Sequence, residues 1–109
     1  MRYDYQFDLI LNSDEYFWFT FYQTDGTIRD LTDCSGIFRS RLETTAAGNY
    51  DIETEHYDVL PTEGTVVFHI VSGDFNQEGR WLTEVELIQS DLTSKFYTNA
   101  IEIRVKPKL

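Results

Sequence analysis

An all-β sandwich is the fold class this sequence predicts, and three observations carry it. Apolar residues alternate through Val66, Phe68 and Ile70, through Trp81, Thr83, Val85 and Leu87, and through Ile101, Ile103 and Val105. Side chains two apart share one face of a strand, so each run offers an apolar face to a common core. Single glycines and short polar groups such as Asn12-Ser13-Asp14 and Asp25-Gly26 punctuate the chain at close intervals, where turn chemistry is expected. No convincing helical period or strand-helix alternation is present, which favours an immunoglobulin-like antiparallel β-sandwich of about seven strands. Cys34 is the only cysteine, so the paired cysteines of antibody domains are missing and only the sandwich layout is expected.

The elements follow in order. Tyr3, Tyr5, Phe7, Leu9 and Leu11 alternate with Arg2, Asp4, Gln6 and Asp8, the pattern of a half-buried first strand. Tyr16 to Tyr22 reads YFWFTFY, apolar on both faces, which predicts a central strand. Asp25-Gly26 closes it with a tight turn. Ile37 to Leu42 is a short third strand, with Arg39 and Arg41 on one face and Phe38, Ser40 and Leu42 on the other,. Thr44 to Glu63 is the least regular stretch, with a loop at Ala46-Ala47-Gly48 and a charged edge strand from Tyr50 to Glu55,. Strands then follow over Thr65–Val71, Arg80–Gln89 and Ser94–Lys106, with a turn region from Gly73 to Gly79,.

The chain has 109 residues, the size of one domain, and a single sandwich over 1–109 is expected. The hydrophobic share is 41% and the aromatic share 16%, enough for a real core. Nineteen acidic against nine basic residues give a formal charge of -10, which repels nucleic acid and anionic membrane and favours basic protein surfaces. No leader and no membrane span is expected, because no apolar run approaches the roughly 20 residues a span needs.

No residue group assembles convincing chemistry. Glu84 and Glu86 would project from one strand face roughly 7 Å apart, near the spacing of paired catalytic carboxylates. An outward solubility face opposite the inward Trp81, Thr83 and Val85 is the expected reading, with no substrate cleft around them. Asp51, Glu53, Glu55 and Asp58 cluster acidic oxygens without the glycine-centred spacing of a calcium loop,. His56 and His69 are the only histidines, too few beside one thiol for a closed zinc site. Cys34-Ser35-Gly36 has no base or glycine elbow around it, and the glycines are scattered singly rather than grouped into a phosphate loop,. No catalytic residue, cofactor or metal is therefore expected. Trp18, Tyr22 and Tyr97 offer aromatic rings that would either fill the core or stack on a partner or a sugar.

One resemblance gives these signals a direction. The order DGTIRDLTDCSGIFRSR from Asp25, GTVVFHIV from Gly64, EGRWLTEVEL from Glu78 and NAIEIRV from Asn99 resembles the phage baseplate upper protein N-terminal family and related immunoglobulin-like domains of tailed-phage virions. Asp25, Gly26, Asp30, Leu31, Thr32, Gly64, Gly79 and Trp81 are the matching positions. The resemblance implies a non-enzymatic virion structural protein at the tail, baseplate or neck, or a decoration protein, docking other virion proteins and forming a homo-oligomer within the assembly. The chain stops at Leu109, so the downstream fibre or receptor-binding region of longer relatives is not expected. Trp18, Tyr22, Tyr50 and Tyr57 are the expected contact residues. A carbohydrate-binding module on a virion or cell surface is the alternative, using the same exposed aromatics.

Overall fold

The computed structural model describes residues 5–46, 48–89, 95–97 and 101–107, with only the backbone path at residues 5, 6 and 95–97. Tyr3, Ala47, Ser94 and the side chains of Tyr5 and Tyr97 lie outside the described residues. Nine strands are present in the described chain: β1 Tyr5–Ile10, β2 Glu15–Thr20, β3 Cys34–Leu42, β4 Ile52–Glu55, β5 Asp58–Leu60, β6 Thr65–Ile70, β7 Gly79–Gln89, β8 Lys95–Tyr97 and β9 Ile101–Lys106. They form a sandwich of two sheets. The larger runs β1-β9-β7-β3-β4, with β8 pairing the far end of β7, and the smaller runs β2-β6-β5.

The alternation in the second half of the chain holds as expected. Trp81, Val85 and Leu87 of β7, Ile101 and Ile103 of β9, and Val66, Phe68 and Ile70 of β6 are all buried in one core. Phe38, fully buried on β3, lies at the middle of it, with ring centroids 5.9 Å from Phe17, 5.6 Å from Phe68 and 6.4 Å from Phe75. Separations in this range suit tilted and edge-on aromatic packing. Gly36 lets the sheets approach: a Cβ there would stand 2.9 Å from Val66 Cγ1 and 3.1 Å from Phe68 Cζ. Trp81 packs edge-on against Phe75 at 4.9 Å and donates its indole N–H to the Gln77 carbonyl at 3.1 Å. A large ring at the start of this strand, tied to backbone four residues upstream, does the job of the tyrosine corner in immunoglobulin sandwiches.

Several expectations change. The Tyr16–Tyr22 run is not a central strand. β2 pairs β6 on one side only, so it is an edge of the three-stranded sheet, and its outward face stays in solvent. An aromatic run looks two-faced in sequence because Phe, Trp and Tyr serve both a core and an exposed surface. The first strand pairs β9 in parallel, Tyr5 opposite Ile101 through Ile10 opposite Lys106, an exception within an otherwise antiparallel sandwich. Its Leu9 is buried, yet Phe7 is 46% exposed at the sheet edge. The expected Ser94–Lys106 strand is described as two pieces, β8 opposite Glu86–Ile88 and β9 opposite Gly79–Thr83, along one edge of β7. The irregular 44–63 stretch contains β4, β5 and a 3-10 turn over Pro61–Glu63.

Candidate functional site

Polar residues on the outer face of the larger sheet are spent on one another. Arg39 stands directly opposite Glu53 on β4 and Glu84 on β7, and pairing across strands is where a sheet gains side-chain stabilisation. Its guanidinium reaches Glu53 at 2.6 Å, Glu86 at 3.2 Å and Glu84 at 4.0 Å. The Tyr50 hydroxyl donates to Glu84 at 2.9 Å, and the Tyr50 ring lies 5.8 Å from the Arg39 guanidinium carbon. Glu84 and Glu86 do share a face as the sequence implied, but an arginine sits between them where a glycosidase would hold its substrate. Glu86 is only 3% exposed, so this face is no simple solubility surface.

A second cluster repeats the theme. Arg80 and Arg104 lie directly opposite each other across β7 and β9, and the Glu102 carboxylate bridges them at 3.3 Å and 2.6 Å. Glu102 is nearly inaccessible. The hydrogen bond from Arg104 holds its carboxyl below the usual glutamate value despite the opposing effect of burial,. A buried carboxylate between two cations is a fixed structural charge.

The remaining sequence candidates resolve into local architecture. Asp51 accepts the Leu42 N–H at 2.8 Å and the Thr45 hydroxyl at 2.6 Å, which tie the β3–β4 loop and lower its pKa, the Thr45 bond most. Among the described residues no group of His, Cys, Asp and Glu is arranged to hold a metal ion. His56 accepts the Gly36 N–H on Nδ1 at 3.1 Å while its own backbone N–H donates to the Gly36 carbonyl at 2.9 Å, extending the β3–β4 pairing. Burial pushes the Cys34 thiol up, opposite to what a nucleophile needs.

The outer face of the smaller sheet is different. Tyr16 and Trp18 on β2 project outward beside Val67 and His69 on β6, with Tyr57 entering β5 next to them. The Tyr16 and His69 rings stack at 4.3 Å and 6°, and Tyr57 meets both edge-on at 5.4 Å and 6.0 Å. Asp14 fixes the other side of the imidazole, 2.7 Å from Nε2. Tyr16, Tyr57 and His69 hold one another and the face remains wet: Tyr57, and Trp18 on the neighbouring strand, are each 63% exposed. Large aromatics in this state are unusual away from an interaction surface.

The four expected contact residues are therefore all exposed but do not form one patch. Trp18 and Tyr57 share the small-sheet face. Tyr22 lies two residues beyond β2 in the loop bridged to Ile28, and Tyr50 sits on the opposite face of the sandwich. Tyr16 and His69 belong to the patch and were missed by the sequence reading. Their parity with Trp18 and Val67 was visible, but the pairing of β2 with β6 was not.

No known protein-family model matches the chain, and no curated protein matches it.

Proposed function

We propose that this protein is a non-enzymatic structural component of a tailed-phage virion, working through protein–protein assembly contacts at the tail, baseplate or neck, or as a decoration protein. The pre-ordered aromatic face of the small sheet carries this reading. Tyr16, Tyr57 and His69 are fixed by stacking and by Asp14, with Trp18 exposed beside them, so little side-chain entropy of the three stacked rings is lost when a partner covers them,. The motif order from Asp25 to Val105 supplies the virion context as a resemblance. Other virion proteins, and further copies of the chain within the assembly, are the partners it implies.

Gradient-purified particles from the source that encodes the chain test the proposal by mass spectrometry and by labelling of intact virions. Stoichiometric recovery with particles is expected. Recovery only as free monomer, with none associated with particles, overturns it. The carbohydrate-binding alternative is favoured by one observation, the exposed Trp18 ring beside the exposed Tyr57,. A glycan array decides it: saturable binding lost in Trp18→Ala supports a sugar site, and silence removes it.

A further inference from the structure

Among the described residues, the smaller sheet is one strand short. In immunoglobulin sandwiches the corresponding sheet carries four strands, with the first strand beside the second. Here β1 joins β9 in the other sheet, and β2 is left with β6 as its single neighbour. The backbone groups of that open edge can be named. Phe21 donates its N–H to the Gly64 carbonyl, and the Val67 carbonyl takes the Tyr57 N–H toward β5. By the period of two, Phe17 and Phe19 bond to β6 while Tyr16, Trp18 and Thr20 turn their N–H and C=O groups away from it. Beside this edge is a groove of about 110 Å3, bordered by Tyr16 and Trp18 and walled by Phe7, Phe17, Phe19, Ile101 and Ile103.

Charge selects the occupant. β2 (EYFWFT), β5 (DVL) and β6 (TVVFHI) contain no lysine or arginine. The chain has no lysine or arginine between Arg2 and Arg29 or between Arg41 and Arg80, and these two stretches contain β2, β5 and β6. Asp14, at His69, and Asp58, opposite Val67, lie at the aromatic face, both exposed. Four of the arginines stand on the larger sheet, on β3, β7 and β9, where Arg39, Arg80 and Arg104 already meet carboxylates. A second copy would bring acid against acid on this face.

We infer that β2 accepts an extended, lysine- or arginine-bearing segment of a partner protein as an added strand. Main-chain bonds run to Tyr16, Trp18 and Thr20, the segment's outward cations lie over Trp18 and Tyr16, and its inward apolar residues enter the Phe7–Phe17 groove. Strand addition explains affinity through the backbone and specificity through alternate side chains, and cations are attracted to indole and phenol faces. The inference rests on the assembly role proposed above and names its surface and partner chemistry.

The test is amide NMR of the full chain titrated with the peptide (Lys-Val)4 and with (Glu-Val)4 at low and high salt. Shifts should centre on Tyr16, Trp18 and Thr20, with the basic peptide binding about tenfold tighter and losing that advantage at high salt. Trp18→Ala should weaken binding about two- to fivefold. Thr20→Pro removes an open-edge N–H, leaves the backbone ladder to β6 intact and loses the Thr20–Thr65 hydroxyl bond, a loss that Thr20→Val reproduces without removing the N–H. The proline variant should abolish the shifts while Thr20→Val keeps them and the Trp81 signals stay native in both. Equal affinity for the two peptides, shifts centred on the β4 or β5 edges, or no binding at millimolar peptide overturns the inference. So does self-association of the chain that Thr20→Pro prevents, which would make a second copy the occupant. Particle incorporation separates the two levels. If Thr20→Pro and Trp18→Ala enter particles like the wild type, the docking inference fails and the assembly role stands; if the wild type never enters particles, the assembly role fails whatever the peptides do.

Discussion

Gly64→Ala is the substitution whose effect can be worked most directly from the structure. Gly64 follows the 3-10 turn at φ +62°, a left-handed conformation that costs an L-residue about 1–2 kcal/mol,. Its N–H donates to the Pro61 carbonyl and its carbonyl receives the Phe21 N–H, so it pins the end of β2 to the start of β6. A Cβ at this position would run into Ile28 Cγ2 and stand 2.8 Å from the Arg29 carbonyl oxygen and 3.1 Å from that of Phe21. Two of these neighbours are backbone and yield little, and overpacking of this kind costs about 1–3 kcal/mol. The expected loss is about 2–5 kcal/mol. Gly26→Ala is the internal control. At φ +88° it has the same backbone strain, but nothing stands within 4 Å of the added Cβ, so about 1–2 kcal/mol should be lost. Urea unfolding with a common m-value reads both. Losses equal within about 0.5 kcal/mol would refute the claim that crowding, rather than φ alone, requires glycine at position 64.

Three further outcomes are expected. The buried Ser40 and Thr83 hydroxyls bond only 2.8 Å apart across β3 and β7; Thr83→Val alone should cost about 1–3 kcal/mol by orphaning Ser40, and the Ser40→Ala/Thr83→Val double variant should recover most of it, as a double-mutant cycle in urea would show. The folded-state pKa values of Asp51 and Glu102 are depressed, so their stabilisation is present above the unfolded values and lost as pH falls from about 5 toward 2. The urea midpoint should drop over that window, and Asp51→Asn with Glu102→Gln should flatten the drop. Trp18→Ser should change unfolding free energy by no more than about 0.5 kcal/mol, because the ring is exposed; a loss above about 2 kcal/mol would mean that Trp18 serves the fold and not an interface.

Much of the fold was legible in the residues themselves. The inward faces of β6, β7 and β9 could be read without any partner, because side-chain parity along a strand is a local property. The Arg39 and Arg41 face of β3 followed in the same way. Glu86, expected on a solvated outward face, is nearly buried, since a carboxylate there is solvated only until an arginine from another strand, Arg39, closes over it. The role of Trp81 was half visible: its place at the start of a strand was plain, its bond to Gln77 was not.

The sequence by itself determined the all-β class, the inward residues of β6, β7 and β9, and the absence of lysine and arginine over two long stretches of chain. Tertiary structure alone decided that those stretches form one sheet, that β2 is an edge and not a centre, and that Trp18 and Tyr57 share a face while Tyr50 lies on the other. The physical reason is distance along the chain. Periodicity and charge are written residue by residue, whereas edges and patches arise from pairings such as β1 with β9, whose partners stand at opposite ends of the polypeptide and leave no local mark.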